Sequence, residues 1–549
     1  MTVAPTARGQ TTEAPRANGW KPEQTGQPPK AARLPPQQAF VLPLAFALGL
    51  DAFTFLGSVR QNPTLLWSFL GASAALVAWA AVLFVMALRT GRTLTLEIVL
   101  RKQHYLQACA QGSVLLYWGW HWSQVYDSAH LIAAQLIFAY AFDILLSWSR
   151  RDTYTLGFGP FPVIFSINLF LWFKPDWFYL QFLMVALGFS AKELIRWDKE
   201  GRRVHIFNPS SFPLAVFALA LILTGKSDLT WGQQIATTQF FPPYIYVMLF
   251  LIGLPGQFFF GVTSMTMSAV VATYLFGLLY HATTGIYFFY DSYIPIAVFL
   301  GMHLLFTDPS TSPRTELGRV IFGVFYGLST VALYGLLGIA GMPTFYDKLL
   351  QVPILNLSIR LIDRVARSNL LRTFDPAAVG RWLAPRQRHL AYMSIWATIF
   401  VMMSAAQGVG DSHPGQWLPF WQQACRTGRP YACPYLEDMQ ARYCDQGSGW
   451  ACNELGILQA RVELDRAGAV ESILHGCDLG FAPACANAHK LAASDDTLDA
   501  APPTLQDYPF ILRGSKGPLA GRTPGALYAL ACRQGWPDTC GRPAETAGQ

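Results

Sequence analysis

The chain contains two similar segments, Phe207-Asn208-Pro209-Ser210-Ser211 and Thr307-Asp308-Pro309-Ser310-Thr311. Each segment joins two apolar stretches through an amide or an acid, a proline and two hydroxyl residues. Proline has no amide hydrogen to donate and pushes the preceding residue out of helical geometry, so each segment predicts a helix break. Paired breaks in corresponding places are typical of internally duplicated membrane proteins with a site between the halves. These residues are therefore the first candidates for a functional site.

The composition is that of a membrane protein with many spans. Of the 549 residues, 52% are hydrophobic and 13% are charged, and the mean hydropathy is +0.28. A soluble protein would carry about twice that share of charged residues. Residues 1–38 are polar and lack the apolar core of a signal peptide, so we expect a disordered cytoplasmic tail there. The net charge of +7 is explained by cytoplasmic loops and indicates no nucleic-acid partner.

An all-α polytopic membrane domain is predicted over residues 39–407. Apolar runs of about 17–25 residues, the length that crosses a lipid bilayer, recur throughout it, and we expect about 13 transmembrane helices. They lie near residues 39–58, 64–88, 104–122, 129–148, 157–174, 177–195, 209–225, 241–260, 263–284, 290–307, 317–340, 344–361 and 390–407.

Loop charge predicts the orientation, because Lys and Arg accumulate on the cytoplasmic side of membrane proteins. With the N-terminus inside, the predicted spans put every basic cluster on that side and leave the C-terminus outside. Both proline segments then lie near the cytoplasmic face. We therefore expect a multi-pass protein of the bacterial inner membrane with a periplasmic C-terminal domain. The basic clusters lie at residues 89–102, 150–151, 192–203, 314–319, 360–372 and 381–388.

The C-terminal domain, residues 408–549, contains eight of the nine cysteines in a repeated pattern. Two cysteines lie eight residues apart, with glycine three residues after the first, and this occurs four times. Eight residues of straight helix span about 12 Å, whereas disulfide-bonded Cα atoms lie about 4.4–6.8 Å apart. Because glycine can end a helix in a left-handed cap and let the chain turn back, we predict helix–turn–helix corners closed by disulfides. The predicted pairs are Cys425–Cys433, Cys444–Cys452, Cys477–Cys485 and Cys532–Cys540.

Zinc binding is the alternative for these cysteines, but zinc ligand pairs are typically two to four residues apart. Disulfides need an oxidising compartment, in agreement with an external C-terminus. The segments Tyr443-Cys444-Asp445-Gln446-Gly447 and Gly476-Cys477-Asp478-Leu479-Gly480 resemble the cysteine-rich Sel1-like repeats, which form a helical solenoid. Such arrays present a binding surface, so the resemblance implies a periplasmic protein partner, with a purely structural cap as the alternative.

The region from about 157 to 372 resembles the family of the D subunit of the Rnf electron-transport complex and the B subunit of the sodium-translocating NADH:quinone reductase, in its divergent UnbU-type branch. The resemblance is carried by His205-Ile206-Phe207-Asn208-Pro209, by residues 306–323, and by Leu361-Ile362-Asp363-Arg364. It implies an internally repeated, urea-transporter-like helical bundle within a complex of several membrane subunits. It also implies a role in coupling electron flow to ion movement.

The same resemblance implies a flavin, which the family holds covalently on the threonine of a Ser-Gly-Ala-Thr motif. At the corresponding place this chain has Gln234-Ile235-Ala236-Thr237-Thr238-Gln239, without the Ser-Gly. This departure argues against covalent FMN. A non-covalent flavin or a quinone stays open, and so does the absence of any redox cofactor.

Ionisable groups inside the spans are further candidates, because they are costly at membrane depth and usually mark a pathway or a pair. Asp143 and Asp51 lie inside apolar runs, and His303 lies about one helical turn before Asp308. A helix–helix hydrogen bond is the alternative for the two aspartates. Histidines from facing helices can ligate haem iron, but the tryptophans around His121 favour an interfacial aromatic belt. We predict neither haem nor a metal site.

Three hypotheses follow for the function. The first is a non-catalytic membrane subunit of an electron-transfer assembly that conducts or couples electrons and cations across the inner membrane. The second is a transporter or channel for a small solute, with a pathway lined by the duplicated breaks. The third is a membrane scaffold that recruits a periplasmic partner through the repeats. The sequence contains no nucleophile–base arrangement or phosphate-binding glycine loop that would indicate a stand-alone enzyme.

Overall fold

Helices make up most of the structure, a computed structural model of the chain. It describes residues 30–199, 201–289, 291–379, 382–406, 409, 413–494, 497–512, 519 and 522–542. In the predicted membrane domain these are α1 (Pro36–Ala39), α2 (Val41–Ala52), α3 (Gly57–Arg60), α4 (Pro63–Thr90), α5 (Lys102–His121), α6 (Gln124–Asp127), α7 (Ala129–Arg150), α8 (Pro160–Asn168), α9 (Phe178–Leu194), α10 (Ser211–Thr224), α11 (Gly232–Thr238), α12 (Ile245–Phe260), α13 (Thr263–Thr284), α14 (Ile296–Leu304), α15 (Glu316–Ile339), α16 (Gln351–Ala366), α17 (Pro376–Val379) and α18 (Pro385–Ala405).

Among the described residues, five helical stretches are long and apolar enough to cross a membrane, which supports membrane association. They are Pro36–Phe55, Pro63–Thr90, Ala129–Arg150, Thr263–Thr284 and Glu316–Ile339. Two shorter helices, α10 and α12, are also apolar. The other predicted spans coincide with helices that are shorter or more polar, so the figure of thirteen crossings stays a prediction. These helices are α5, α8, α9, α14, α16 and α18.

Local sequence sets the ends of the longest helix, α4. The side chain of Asn62 accepts a hydrogen bond of 2.9 Å from the Leu65 amide and caps the N-terminus. Pro63 occupies the first helical position, where its missing amide hydrogen costs nothing. At the other end Gly91 takes a left-handed φ of 63° and stops the helix. The 28 residues between these caps are more than enough to cross the bilayer.

Two of the predicted spans, near residues 157–174 and 290–307, are only half helical. α8 and α14 have nine residues each, or about 13 Å of helix, less than half of the roughly 30 Å hydrocarbon core. Irregular backbone follows α8 and precedes α14. Pro295 is the residue directly before α14, and proline disfavours helix in the residues that precede it. The helix at each of these two places is therefore shorter than the span that the sequence predicts.

A network of buried amide side chains compensates for the end of α8. Asn168 at the last position of α8 exchanges hydrogen bonds of 2.9 and 3.1 Å with Gln135 of α7. Gln181 of α9 donates to the same Gln135 side chain at 2.9 Å. Its own oxygen accepts the main-chain amide of Phe173, in the irregular segment, at 3.0 Å. Because a membrane-embedded break persists only where its backbone groups find partners, this network is what lets the helix stop there.

Two small sheets lie beside the helix ends. β1 (Lys30–Leu34) pairs antiparallel with β2 (Leu94–Ile98), which pairs in parallel with β3 (Thr153–Leu156). β4 (Arg196–Lys199) and β5 (Arg202–His205) form a hairpin directly before the first proline segment. Because β1 finds a partner in β2, ordered structure begins inside the predicted tail of residues 1–38. Residues 1–29 of that tail lie outside the described residues.

The C-terminal region consists of short helices joined by the predicted corners. All four predicted disulfides are present, with Cα atoms 4.6 to 5.0 Å apart. In every corner the glycine has a left-handed φ, between 67° and 108°. The disulfide prediction and the role of the glycines are confirmed, whereas the Sel1-like solenoid stays a prediction. The helices are α19 (Leu418–Arg426), α20 (Ala432–Asp445), α21 (Gly449–Leu458), α22 (Arg466–Asp478), α23 (Ala482–Ala492), α24 (Tyr508–Ile511) and α25 (Pro524–Arg533).

This region packs against the segment that follows α13. The guanidinium of Arg429 donates a hydrogen bond of 3.2 Å to the Thr284 carbonyl. The hydroxyl of Tyr435 donates one of 3.0 Å to the Phe288 carbonyl. The disulfide-bonded helices therefore contact the C-terminal end of α13.

Candidate functional site

The two proline segments meet at a cavity of about 430 Å³. This volume falls in the range of small-molecule sites, about 300–1,000 Å³. The cavity therefore unites most of the residues that the sequence had singled out. The predicted site residues that line it are Asp143, Asn208, Pro209, Ser210, Asp308, Pro309 and Ser310.

The first segment starts α10 through the side chain of Asn208. Its Oδ1 atom accepts hydrogen bonds from the main-chain amides of Ser210, at 3.0 Å, and Ser211, at 3.2 Å. The Ser210 hydroxyl donates to the same oxygen at 2.8 Å. The asparagine thus satisfies amides that a helix start leaves without a partner. Ser211 itself is fully buried and does not line the cavity.

The second segment repeats this geometry with an acid. The carboxylate of Asp308 accepts the Ser310 amide at 3.0 Å and the Thr311 hydroxyl at 3.2 Å. The Thr307 hydroxyl donates to the His303 carbonyl at 3.0 Å, one turn back. Thr307 and Thr311 are buried and lie beside the cavity rather than on its wall. The similar sequences of the two segments therefore correspond to similar local structures.

Hydrogen bonds also link the first segment to the residue two positions before the second segment, and both segments to α16. The side-chain amide of Asn208 donates a hydrogen bond of 2.9 Å to the Leu305 carbonyl, at the end of α14. Asn356 of α16 accepts the Asn208 main-chain amide at 3.1 Å and donates to the Thr311 carbonyl at 3.2 Å. Sequence reasoning missed Asn356, although an amide inside a predicted span was a usable signal. Asn208 and Asn356 thus hold the end of α14 and the second segment in place through hydrogen bonds.

His205 and Asp308 form the polar centre of the cavity. His205 Nε2 lies 3.2 Å from Asp308 Oδ2, and both side chains are about one-fifth exposed. Burial disfavours the ionised carboxylate, but the hydrogen bonds from His205, the Ser310 amide and Thr311 outweigh it. The pKa of Asp308 therefore lies below its ordinary value. His205 was part of the family resemblance but was not predicted as a site residue.

The loop after the second segment is held by Asp363 of α16. The carboxylate accepts the main-chain amide of Arg314, at 2.9 Å, and that of Thr315, at 3.1 Å. The Thr315 hydroxyl donates to the same oxygen at 3.0 Å. Asp363 belongs to the segment Leu361-Ile362-Asp363-Arg364, so part of the sequence resemblance corresponds to a structural anchor for this loop.

The two aspartates in the predicted spans have different surroundings. Asp143 lines the cavity, as does Tyr154. Asp51 accepts a hydrogen bond of 2.8 Å from the Ser73 hydroxyl, which joins α2 to α4. The alternative of a helix–helix hydrogen bond therefore holds for Asp51, whereas Asp143 belongs to the candidate site.

His303 does not line the cavity, although it precedes Asp308 by five residues. Its Nδ1 atom lies 2.8 Å from the Phe299 carbonyl within α14, and its ring lies beside Trp396 of α18, with centroids 6.1 Å apart. The side chain is buried, and Nε2 has no hydrogen-bond partner among the described residues. The structure thus separates His303 from the other predicted site residues.

The segment at the position of the family's flavin motif forms α11. The Thr238 hydroxyl accepts a hydrogen bond of 3.1 Å from the indole of Trp118. The side chain of Gln239 donates to the Leu169 carbonyl, in the irregular stretch after α8. These residues do not line the cavity. Gln239 instead supplies a hydrogen-bond donor to the irregular stretch after α8.

One cluster of potential metal ligands occurs in the described part of the C-terminal region. It contains Cys444, Cys452 and His475. The two cysteines are bonded to each other in a disulfide, and metal binding by cysteine needs a thiolate. This cluster is therefore not a metal site while the disulfide is intact.

Charged side chains dominate the rest of the cavity wall. In the sequence, the basic residues served only to predict the orientation of the protein, because basic segments next to spans are common on the cytoplasmic side. The fold brings several such segments together at one place. The charged residues of the wall, besides Asp143 and Asp308, are Arg101, Arg151, Lys192, Glu193, Arg196 and Arg203.

A scan against protein-family models and searches of curated proteins and of solved structures found no match to this chain.

Proposed function

We propose that the protein is a multi-pass membrane protein whose two proline segments form the entrance of a pathway for a small solute. The supporting observation is that both segments line one cavity and are joined by the hydrogen bond from Asn208 to Leu305. Broken helices that meet in this way are typical of the substrate sites of secondary transporters. The half-length helices α8 and α14 give two such breaks. Small-solute transport is therefore the hypothesis that the geometry favours.

The charge distribution and the disulfides support an orientation in which the cavity opens to the cytoplasm and the C-terminal region lies in the periplasm. Five Lys and Arg side chains line the cavity, and such residues concentrate on the cytoplasmic side. Phe260, just before α13, also lines it, whereas the disulfide-bonded region contacts Thr284 at the other end. The 22 residues of α13 separate these ends by about 33 Å. An inner-membrane location with the N-terminus inside follows from this proposal.

The proposal retains thirteen crossings. Two of them would consist of a half helix with an irregular continuation, α8 followed by residues 169–174 and α14 preceded by residues 286–289 and 291–295. The buried amides of Gln135 and Gln181 support such a crossing after α8, because they satisfy backbone groups that no helix satisfies. The similar capping at Asn208 and Asp308 supports an internally duplicated, urea-transporter-like bundle.

A membrane subunit of an electron-transfer assembly is the second candidate. It is supported by the sequence resemblance and by the cavity volume of about 430 Å³, which a non-covalent flavin or a quinone would need. An absorbance spectrum of the purified protein, followed by acid extraction and chromatography, tests it. A stoichiometric flavin or quinone would establish this candidate in place of simple transport.

A periplasmic protein partner remains part of the proposal. The helical C-terminal region is anchored to the membrane domain through Arg429 and Tyr435, so its remaining surface is held at a fixed place above the membrane. Helical repeat arrays commonly bind proteins through such surfaces. Cross-linking in membranes, compared between the full chain and a variant truncated after residue 406, identifies the partner.

Flux measurements in proteoliposomes test the pathway. The protein is reconstituted, and uptake is measured for a panel of small polar solutes, with Asp308→Ala as the test variant and Arg89→Ala as the control. Arg89 lies exposed at the end of α4 and does not line the cavity. We expect flux through the unmodified protein and the control, and loss of flux in Asp308→Ala at equal reconstitution. Equal flux in both variants, or no flux above protein-free vesicles, would contradict the pathway.

A further inference from the structure

The wall of the cavity carries more positive than negative charge. Five of its residues are Lys or Arg and three are Asp or Glu. Whether this excess is available to a ligand depends on which charges are already compensated within the protein. The three carboxylates and the five cations differ in how far partners within the protein compensate their charge.

Two of the three carboxylates of the cavity have donors within the protein. Glu193 forms ion pairs with both Arg151 and Arg196, the latter with atoms 2.6 Å apart. Asp308 is held by His205 and by the donors of its own turn. Glu193 and Asp308 are therefore not left to attract a cation.

Three of the five cations have no such compensation. No described carboxylate forms an ion pair with Arg101, Lys192 or Arg203, although all three line the cavity. Lys192 instead has the ring of Phe189 beside its ammonium, 5.2 Å from the ring centroid. Lys192 is half-buried, whereas Arg101 and Arg203 are exposed. The Lys192 ammonium has therefore lost part of its hydration without gaining a counter-charge, and an anion from solution supplies that charge.

Helix dipoles add to the same field. The helices α5, α8 and α10 begin at the cavity, since Gln103, Pro160 and Ser210 line it. The N-terminal end of a helix is equivalent to about half a positive charge and favours anions. The side chains and the helix N-termini therefore both favour an anionic ligand.

We propose that this cavity binds the phosphate group of a small metabolite, with Lys192 and Arg101 as its principal counter-charges. The inference rests on the proposed function, because it assigns a ligand class to the same cavity. Arginine and lysine are the side chains that bind phosphate oxygens, through charge-assisted hydrogen bonds. A cavity of about 430 Å³ is larger than a single phosphate ion needs, so an organic phosphate fits it better than inorganic phosphate.

Isothermal titration of the full chain in phosphatidylcholine nanodiscs tests the proposal, with inorganic phosphate and glycerol 3-phosphate as probes. Lys192→Gln is the test variant, Arg89→Gln is the matched control outside the cavity, and Lys192→Arg restores the charge. We expect saturable binding that is at least about tenfold weaker in Lys192→Gln, since a charged hydrogen bond is lost. Binding should be unchanged in Arg89→Gln and largely restored in Lys192→Arg.

Two results would overturn the inference. One is the absence of saturable binding for both probes, and the other is equal affinity in Lys192→Gln and the unmodified protein. Nanodiscs that contain phosphatidylglycerol distinguish the source of the phosphate. Competition by this lipid would assign the phosphate to a lipid headgroup, and its absence would assign it to a soluble metabolite; both results support a phosphate site.

The flux experiment separates this inference from the proposed function. If Asp308→Ala abolishes flux but neither phosphate probe binds, the pathway stands and the phosphate site is wrong. If the probes bind with the expected dependence on Lys192 while Asp308→Ala leaves flux unchanged, the phosphate site stands and the pathway is wrong.

Discussion

The side chain of Asn208 donates a hydrogen bond of 2.9 Å to the main-chain oxygen of Leu305, 97 residues further along the chain. Leu305 follows the last residue of α14, where carbonyl oxygens have lost their helical donors. The opposite atom of the same side chain caps α10 by accepting the amides of Ser210 and Ser211. Asn208 thus donates to the end of α14 and accepts at the start of α10. An amide side chain has both a donor and an acceptor, whereas a carboxylate has only acceptors, which explains the amide in the first segment.

Replacing Asn208 by Asp should destabilise the protein more than replacing it by Ala. Aspartate keeps the oxygen that caps α10 but turns the donor to Leu305 into a second, negatively charged acceptor that faces a carbonyl. We expect Asn208→Asp to lower the free energy of unfolding by about 2–3 kcal/mol and Asn208→Ala by about 1–2 kcal/mol.

Denaturant titration in detergent, followed by tryptophan fluorescence, measures this difference. The matched control is Asn369→Asp, because Asn369 is exposed and lies outside the helices; its effect should stay within about 0.5 kcal/mol. An Asn208→Asp protein as stable as the control would show that the Asn208–Leu305 hydrogen bond does not contribute to stability.

The sequence predicted the local chemistry of the site better than its global arrangement. The motifs at Asn208 and Asp308 identified the two breaks, because proline and a side-chain cap act on their immediate neighbours. The spacing of cysteine and glycine predicted the C-terminal corners for the same reason, and Gly447 has the left-handed φ that this argument requires. Features of this kind are determined within a few residues and can therefore be read from a sequence.

The parts that the sequence did not reveal depend on contacts between distant segments. α8 and α14 end where buried amides such as Gln181 replace the helical partners, and an apolar run does not show where this occurs. Lys192, in the last turn of α9, belongs to a basic cluster that looks like an ordinary topological signal until the fold places it in one cavity with Asn208. His303 shows the opposite case, since it lies close to Asp308 in sequence but does not line the cavity.

Replacing Gln135 by Leu should destabilise the half helix α8 selectively. Leucine has a similar size, but it removes the hydrogen-bond partner of Asn168 Oδ1 and of Gln181 Nε2. We expect a loss of about 2–4 kcal/mol, because each buried polar group left unpaired costs about 1–3 kcal/mol. Hydrogen–deuterium exchange should show faster exchange in residues 160–173 than in the rest of the membrane domain.

The control for this variant is Gln38→Leu, since Gln38 is exposed on α1. It should leave both the unfolding midpoint and the exchange of residues 160–173 unchanged. If Gln135→Leu raised stability instead, the amide network would be dispensable, and the apolar surroundings alone would determine where α8 ends.

Replacing Gly447 by Ala should weaken the corner between α20 and α21. Gly447 has a φ of 108°, a conformation that a residue with a Cβ atom adopts only with strain. A Cβ atom added at this position would lie 3.6 Å from its nearest neighbour, a ring atom of Phe510, which is an ordinary contact distance. The cost therefore comes from the backbone, and we expect about 1–3 kcal/mol.

The matched control is Gly71→Ala in α4, where φ is negative and no atom lies within 4 Å of an added Cβ. Alanine should leave stability unchanged there or raise it by up to about 1 kcal/mol. Hydrogen exchange of residues 432–458 in the full chain measures the effect on the corner. Equal exchange in Gly447→Ala and the unmodified protein would show that the disulfide alone determines the turn.

The stability of the C-terminal region should fall as the pH rises from 4.5 to about 7, because of Glu454 in α21. Burial raises the pKa of Glu454 from 4.5 to about 7, although the Ala501 amide, Asn453 and two arginines partly offset it. Below pH 4.5 the folded and unfolded states are both protonated and the contribution is complete. Between these two pKa values only the unfolded state loses its proton, so stability declines as the pH rises and levels off above pH 7. The decline is on the order of 2–3 kcal/mol.

Hydrogen exchange of residues 449–458 between pH 5 and pH 8, corrected for the intrinsic pH dependence of exchange, measures this effect in the full chain. Glu454→Gln cannot ionise and should remove the decline, whereas Glu471→Gln, at an exposed position on α22, should retain it. A decline of equal size in Glu454→Gln would assign it to other groups. Loss of the decline in Glu454→Gln, with the decline retained in Glu471→Gln, would show that the buried carboxyl makes the C-terminal region sensitive to pH.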